Sequence, residues 1–248
     1  MRVVIAWALA LVSACATFHP AEVCGTHDED GDGIADGCDN CPGFANPNQD
    51  NDDDDALGDE CDPRASGPNE LVLFEPFVEL GQWAPRTGTW TQQGDEVVFT
   101  PASDLDTTRH TLAFAPPFPA ASTLVLEYVV RILEDFRGDA SIAVAIGNNG
   151  TVEGVTCGLS RVVEIDRIEV RQPQTTDTRV LDAPLVAGSR HRVIMAIDGA
   201  DMKCALDDGN ADVSVFSRRL GPAPTAGLSF IVSEVGMRIE YVAVYGNL

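Results

Sequence analysis

Positive charge is what this sequence has least of. Among 248 residues there is a single lysine, Lys203, and residues 28–62 hold fourteen acids and no base. The formal charge of −23 therefore divides into −14 over that stretch and −9 over the remaining 213 residues. Nucleic acid is excluded as a partner, because neutralising phosphates needs clustered Lys and Arg. Aromatic residues are also scarce. Beyond the first fifteen residues the sequence has only Trp83, Trp90 and three tyrosines besides phenylalanine, which is little with which to line a sugar cleft. There is no sustained 3.6-residue periodicity, no G-x-S-x-G, no phosphate-binding loop and no histidine-rich pattern. After the N-terminus, no segment is long and apolar enough to span a bilayer.

What is there begins with "MRVVIAWALALVSAC". Arg2 followed by the apolar run Val3–Val12 reads as an export signal over residues 1–15, too short for a mature membrane helix. Its end, Val12-Ser13-Ala14-Cys15, resembles the lipobox of bacterial lipoproteins. That resemblance implies acylation of Cys15 and a membrane partner through the lipid. Ala16 in place of Asp points to the outer membrane. Setting Cys15 aside leaves six cysteines, an even number suited to an oxidising compartment.

Residues 24–62 are acidic and polar, with four cysteines and almost no large apolar side chains beyond Ile34, Phe44 and Leu57. Such a segment cannot bury enough apolar surface to fold unaided. Its acids are spaced at alternate positions, as a loop wrapping a hard, oxygen-seeking cation requires. Asp28, Asp30, Asp32, Gly33, Asp36 and Asp39 fall at positions 1, 3, 5, 6, 9 and 12 of such a loop, with the Ile34 carbonyl at position 7. Asn51, Asp53, Asp55, Asp59 and Asp62 repeat the spacing, with Ala56 where the first loop has its glycine. The expected cofactor is Ca²⁺. A metal-free, solvated acidic tether is the alternative, and zinc at the cysteines is disfavoured by the exported context.

No helical pattern flanks either loop, so this is no EF-hand. The pieces DxDGDG, DNCP (39–42), NPNQ (46–49) and GDECD (58–62) make the stretch similar to the thrombospondin type 3 repeat. That resemblance implies a chain with little regular structure, wound around Ca²⁺ and stapled by disulfides. It implies a Cys41–Cys61 bridge, with Cys24–Cys38 as the remaining local pair.

A Pro/Gly/Ser linker (63–70) leads into residues 71–248, where composition changes to strand-length alternation. "TLVLEYVVRI" (123–132), "SIAVAIG" (141–147), "HRVIMAIDG" (191–199) and "MRIEYVAVYG" (237–246) are the clearest examples, separated by turn signals such as "GNNG" and "DDGN". The pattern predicts an all-β, antiparallel sandwich. The opening "LFEPFVELGQW…GTW" (73–90) and the closing "IEYVAVYG" (239–246) resemble the concanavalin A-like, or laminin G-like, jelly roll. Cys157 and Cys204 lie in strand-like runs and form either a third disulfide or two separate buried thiols.

One stretch suggests catalysis. "EIDRIE" matches the E-x-D-x-x-E pattern of laminarinase-like endo-glucanases. By that resemblance Glu164 is the nucleophile and Glu169 the acid/base, with Asp166 between them. The pattern needs a bulge near Arg167 that turns Val163, Ile165, Ile168 and Val170 inwards and the three acids outwards. Charged residues on an outward strand face are more often a solvated surface, and the shortage of aromatics argues against a sugar cleft. The expectation is therefore a non-enzymatic surface lipoprotein: a calcium-stiffened, disulfide-stapled stalk carries a lectin-like sandwich outwards for adhesion to a glycan or a cell-surface protein.

Overall fold

A computed structural model describes residues 24–62, 69–103, 106–116, 123–147, 154–207, 212–218 and 227–247. The signal segment and Cys15 lie outside the described residues. Two antiparallel sheets face one another. One contains β1 (Glu70–Glu75), β3 (Trp90–Gln93), β4 (Glu96–Phe99), β6 (Thr123–Ile132), β11 (Arg190–Asp198), β12 (Asp201–Asp207), β13 (Asp212–Arg218) and β15 (Met237–Asn247). The other contains β2 (Trp83–Thr87), β5 (His110–Phe114), β7 (Ser141–Ile146), β8 (Val155–Val162), β9 (Ile165–Gln172), β10 (Thr175–Val180) and β14 (Leu228–Ser233). The orders are β13-β12-β11-β6-β15-β4-β3, with β1 also on β15, and β10-β9-β8-β7-β14-β5-β2. This is the all-β sandwich that the alternation predicted.

The alternation explains the layering. In β11, Val193, Met195 and Ile197 are buried between the sheets, and in β7 so are Ile142, Val144 and Ile146. Phe230 on β14 sits at the centre, 5.4 Å from the rings of both Trp83 and Tyr128 and 6.4 Å from Phe77. Trp83 and Trp90 are thus core residues. Cys157 on β8 and Cys204 on β12 are bonded, tying one sheet to the other through the core.

Both faces of the eight-stranded sheet are apolar near β15, and a bulge decides which residue faces where. Pairing of β15 with β6 slips between Ile239 and Val242. Ile239 and Val242 both point into the core, while Tyr241, Ala243 and Tyr245 lie on the outer face. A second slip, between Leu71 and Leu73, re-aims Leu71 and Phe74 of β1 to the same outer face. An extra residue in one strand re-aims its side chains in this way.

That outer face carries the acidic segment. Cys41, Leu57 and Cys61 pack with Val129, Tyr241, Ala243 and Tyr245 as a second, smaller apolar cluster, with Phe44 against it. The Tyr241 hydroxyl donates to the Gly43 carbonyl at 3.2 Å, and a side chain at 43 would strike the Tyr241 ring at 2.7–2.9 Å. The Arg192 guanidinium lies 4.1 Å above the Phe44 ring, a cation–π contact. The expected outward stalk is therefore corrected. A segment too poor in apolar residues to fold alone uses the sheet's surface as the other half of its core. At the junction, Asn69 is buried rather than part of a free linker, and β1 starts at Glu70.

Candidate functional site

Within the acidic segment, Cys24–Cys38 and Cys41–Cys61 are bonded. Between them the chain makes the same turn twice, at an offset of 23 residues (28 to 51, 39 to 62). In the first loop, the Asp32 amide donates to Asp30 Oδ1 and the Ile34 amide to Asp32 Oδ1. In the second, the Asp55 amide donates to Asp53 Oδ1 and the Leu57 amide to Asp55 Oδ1. The Asp36 amide donates to the His27 carbonyl, as the Asp59 amide does to that of Asp50, each at 2.9 Å. At Ala56 the loops differ, since Gly33 in the first has φ 98° and Ala56 is not left-handed, but the hydrogen bonds on either side repeat. The left-handed residue of the second loop is Asp54, φ 59°, which occupies the place of Gly31, φ 75°.

The structure gathers some of the expected ligands and not others. Carboxylate oxygens of Asp28, Asp30 and Asp32 all lie within 4.8 Å of one another, and so do those of Asp53, Asp55 and Asp62. The other acids have protein partners. Asp36 Oδ2 lies 2.6 Å from His27 Nδ1, and Asp36 Oδ1 accepts from the Glu29 amide. Asp39 Oδ1 accepts from the Cys41 amide and the Gln49 side chain, and Asp59 Oδ1 from the Asp52 amide. The Asn51 side chain donates to the Asp55 carbonyl.

Two residues that the spacing did not single out belong to the loops. The Asn46 amide donates to Asp32 Oδ2 at 2.9 Å, and the Asn69 amide, 23 positions on, to Asp55 Oδ2 at 2.7 Å. Each fixes the equivalent carboxylate of its loop, Asp32 in the first and Asp55 in the second. The shared offset was the signal that could have found them.

The donor set fits a hard cation. Asp30 Oδ2 and Asn51 Oδ1 are sealed from solvent with no hydrogen-bond partner, and buried polar atoms are seldom left so. Burial raises the Asp30 carboxyl to about 6, with repulsion from Asp32, Asp39 and Asp28 adding to it. Burial, then Asp36 and Asp95, pushes Glu29 up to about 8. Negative charge is thus concentrated in the first loop, with Arg190 the cation that partly offsets it at Glu29.

Where the first loop meets the sheet there is a cleft of roughly 420 Å³, lined by Glu29, Asp30, Phe44, Arg190, Arg192 and Tyr241 among others. Its floor is an ionic network on the sheet. Arg192 pairs with Glu127, which is 2% exposed and also accepts from the hydroxyls of Tyr241 and Tyr245. Arg192 also reaches Asp207 at 2.9 Å, while Arg190 and Arg131 hold Glu240. Fixed in this way, the arginines and Tyr241 present a rigid polar wall opposite the acidic loop.

The E-x-D-x-x-E carboxylates are not assembled. β8 and β9 pair without a slip from Val162↔Ile165 to Thr156↔Arg171, so the bulge expected near Arg167 is absent. Val163 and Glu164 instead form the two-residue turn, both with positive φ, 51° and 61°, as a tight hairpin requires. Val163 and Ile165, expected to face inwards, are exposed. Asp166 faces the core side, gripped by both nitrogens of the Arg161 fork at 2.7 and 2.8 Å. Glu169 lies on the opposite face, accepting from Ser160 and pairing with Arg171. With one acid in a turn and two on opposite faces, no paired-carboxylate mechanism can operate across a single bond.

No protein-family model matches the sequence, and no curated protein matches it. Solved structures do match the fold. The exoplasmic/lumenal domain of VIP36, in a form bound to Ca²⁺ and Man3GlcNAc, superposes with a TM-score of 0.57 at 9% identity, over 73% of this chain and 91% of that one. Lectin I-B4 from Griffonia simplicifolia gives 0.55 at 10% identity over 73% and 100%. The CBM2 module of the evolved Dit protein of Lactobacillus casei BL23 phage J-1 gives 0.52 at 8% over 72% and 96%. The sandwich has the lectin-type jelly-roll fold.

Proposed function

We propose that this chain is a calcium-organised carbohydrate-binding protein, exported and held at the outer membrane by acylated Cys15, and that it binds without turnover. One observation carries the reading: Asp30 belongs both to the carboxylate cluster of the first loop and to the wall of the cleft between that loop and the sheet. A cation held by Asp28, Asp30 and Asp32 would satisfy the sealed Asp30 oxygen and fix the loop against the arginine wall. Asp53, Asp55 and Asp62, with Asn51 beside them, would hold a second ion that stiffens the turn leading to β1. Ca²⁺ supplies charge neutralisation there and needs no redox chemistry. The sandwich folds it matches include lectins and a carbohydrate-binding module, which supports a glycan as the ligand.

The test is a glycan array probed with the folded, oxidised protein in millimolar calcium and again in EDTA, beside calorimetry of calcium uptake. The expected outcome is calcium uptake, and glycan binding that is lost in EDTA and in Asp30→Asn. Absence of calcium heat, or glycan binding indifferent to chelation, would overturn it. Replacing Cys15 with Ser should release the protein from the membrane fraction.

A further inference from the structure

The outer face of the seven-stranded sheet differs in charge from the rest of the molecule. There, β9, β8 and β14 form a cleft of roughly 240 Å³ lined by Arg109, Thr156, Arg171, Gln172 and Ile231, with Gly154 and Pro173 at its ends. Among the described residues no acid lines it, in a chain of net charge −23. Arg109 is exposed and makes no ion pair among the described residues. Arg171 is held by Glu169 at 3.0 Å. The other oxygen of Glu169 accepts from Ser160 at 2.9 Å. The Gln172 side chain is fixed by donating to Ser217 and to the Arg218 carbonyl.

A second observation lies on the same face. Ser229, two residues along β14 from Ile231, is 1% exposed and its hydroxyl has no hydrogen-bond partner. Its neighbours across the ladder are Ala113 and Ala145, and the adjoining strands continue with Ala143 and Gly158. Any side chain at 158 would come within 2.1 Å of the Ile142 carbonyl. The sheet beside the cleft is thus built of small residues, with the Ser229 hydroxyl sealed among them.

We propose that this cleft is a second ligand site, independent of calcium, that takes a saccharide bearing a carboxylate, a uronate residue. Guanidinium forks match a planar carboxylate through paired N–H donors. Thr156 supplies a hydroxyl for ring substituents. The inference shares with the reading above only the premise that the ligand is a saccharide; it uses neither the metal loops nor the seam.

The test titrates the folded chain in EDTA with oligogalacturonate, with its carboxyl-reduced neutral counterpart, and with dextran sulfate as a probe of charge alone. Chelator removes the seam site and prevents calcium from bridging the ligand to the protein. Oligogalacturonate should bind about ten- to hundredfold more tightly than its reduced form, the range expected for a charge-assisted hydrogen-bonded pair. Arg109→Gln should remove most of that preference while leaving calcium-dependent binding at the seam unchanged. The double variant Glu169→Gln with Arg171→Gln, which leaves no unpaired carboxylate, should do the same. Equal binding of the reduced oligomer, a preference insensitive to both variants, or stronger binding of dextran sulfate would each overturn the uronate site. Those outcomes leave the calcium-dependent reading standing, whereas loss of seam binding alone leaves the uronate site standing.

Discussion

The acidic segment and the sandwich share one sheet yet are held together by opposite means. The sandwich is closed by its own core, in which Phe230, Trp83, Tyr128 and their neighbours are almost fully buried. The segment contributes only Cys41, Leu57 and Cys61 as fully buried apolar residues, with Phe44 half-buried, and borrows the rest from Tyr241, Tyr245 and Val129. Two disulfides within 24–61 shrink its unfolded ensemble, and its carboxylates leave a standing demand for cations. One region carries its stability in itself, and the other has it assembled from crosslinks and a neighbour's surface.

Four substitutions put that contrast to the test. Phe230→Ala removes the central ring of the sandwich and should cost about 3–5 kcal/mol. The urea midpoint, followed by tryptophan fluorescence, should fall for the whole protein, and a loss confined to the acidic segment would contradict the division. Leu57→Ala should cost about 2–5 kcal/mol, but only in the segment. Limited proteolysis should then cut between 24 and 62 while the sandwich survives intact, and calcium should slow that cutting in the unsubstituted chain. Gly43→Ala drives a methyl into the Tyr241 ring and should loosen the docked segment by about 1–3 kcal/mol, read as faster amide exchange over 39–61 with unchanged exchange in β7 and β14. Tyr241→Phe removes the donor to Gly43 and Glu127 at about 1 kcal/mol. Its exchange signature should match that of Gly43→Ala at smaller amplitude.

Much of this contrast could be read from residue order. Runs such as 123–132 and 141–147 alternate so regularly that β6 and β7 coincide with them almost residue for residue, because one face of each is buried against the opposing sheet. The acidic loops were legible for a related reason: their oxygens recur at alternate positions, the spacing that wrapping a cation would require. The direction of β15 beyond Ile239 was not legible. Ile239, Tyr241, Val242, Ala243, Val244 and Tyr245 are apolar on both faces, so alternation cannot say where the bulge falls. Docking of the segment was hidden for the same reason, since its signature is the surplus of apolar residues on a sheet face that a sandwich would normally leave to water. In "RVVEIDRIE" the apolar pair Val163 and Ile165 imitated an inward strand face. The actual constraint was the two-residue turn, which needs positive φ and overrode side-chain preference at Val163.

The seam also lies in series along the chain between Cys24 and β1. Tension applied from the N-terminal side passes through the Cys24–Cys38 and Cys41–Cys61 bridges and loads the packing of Cys41 and Cys61 on Tyr241 as a peel before it reaches any strand of the sandwich. A modest pull would therefore lift the segment, bare Tyr241 and Tyr245, and dismantle the 420 Å³ cleft while the jelly roll stayed folded. A load carried through the other end of the chain enters by β15, where the ladder with β6 resists in shear, so the molecule would yield unequally to traction at its two ends.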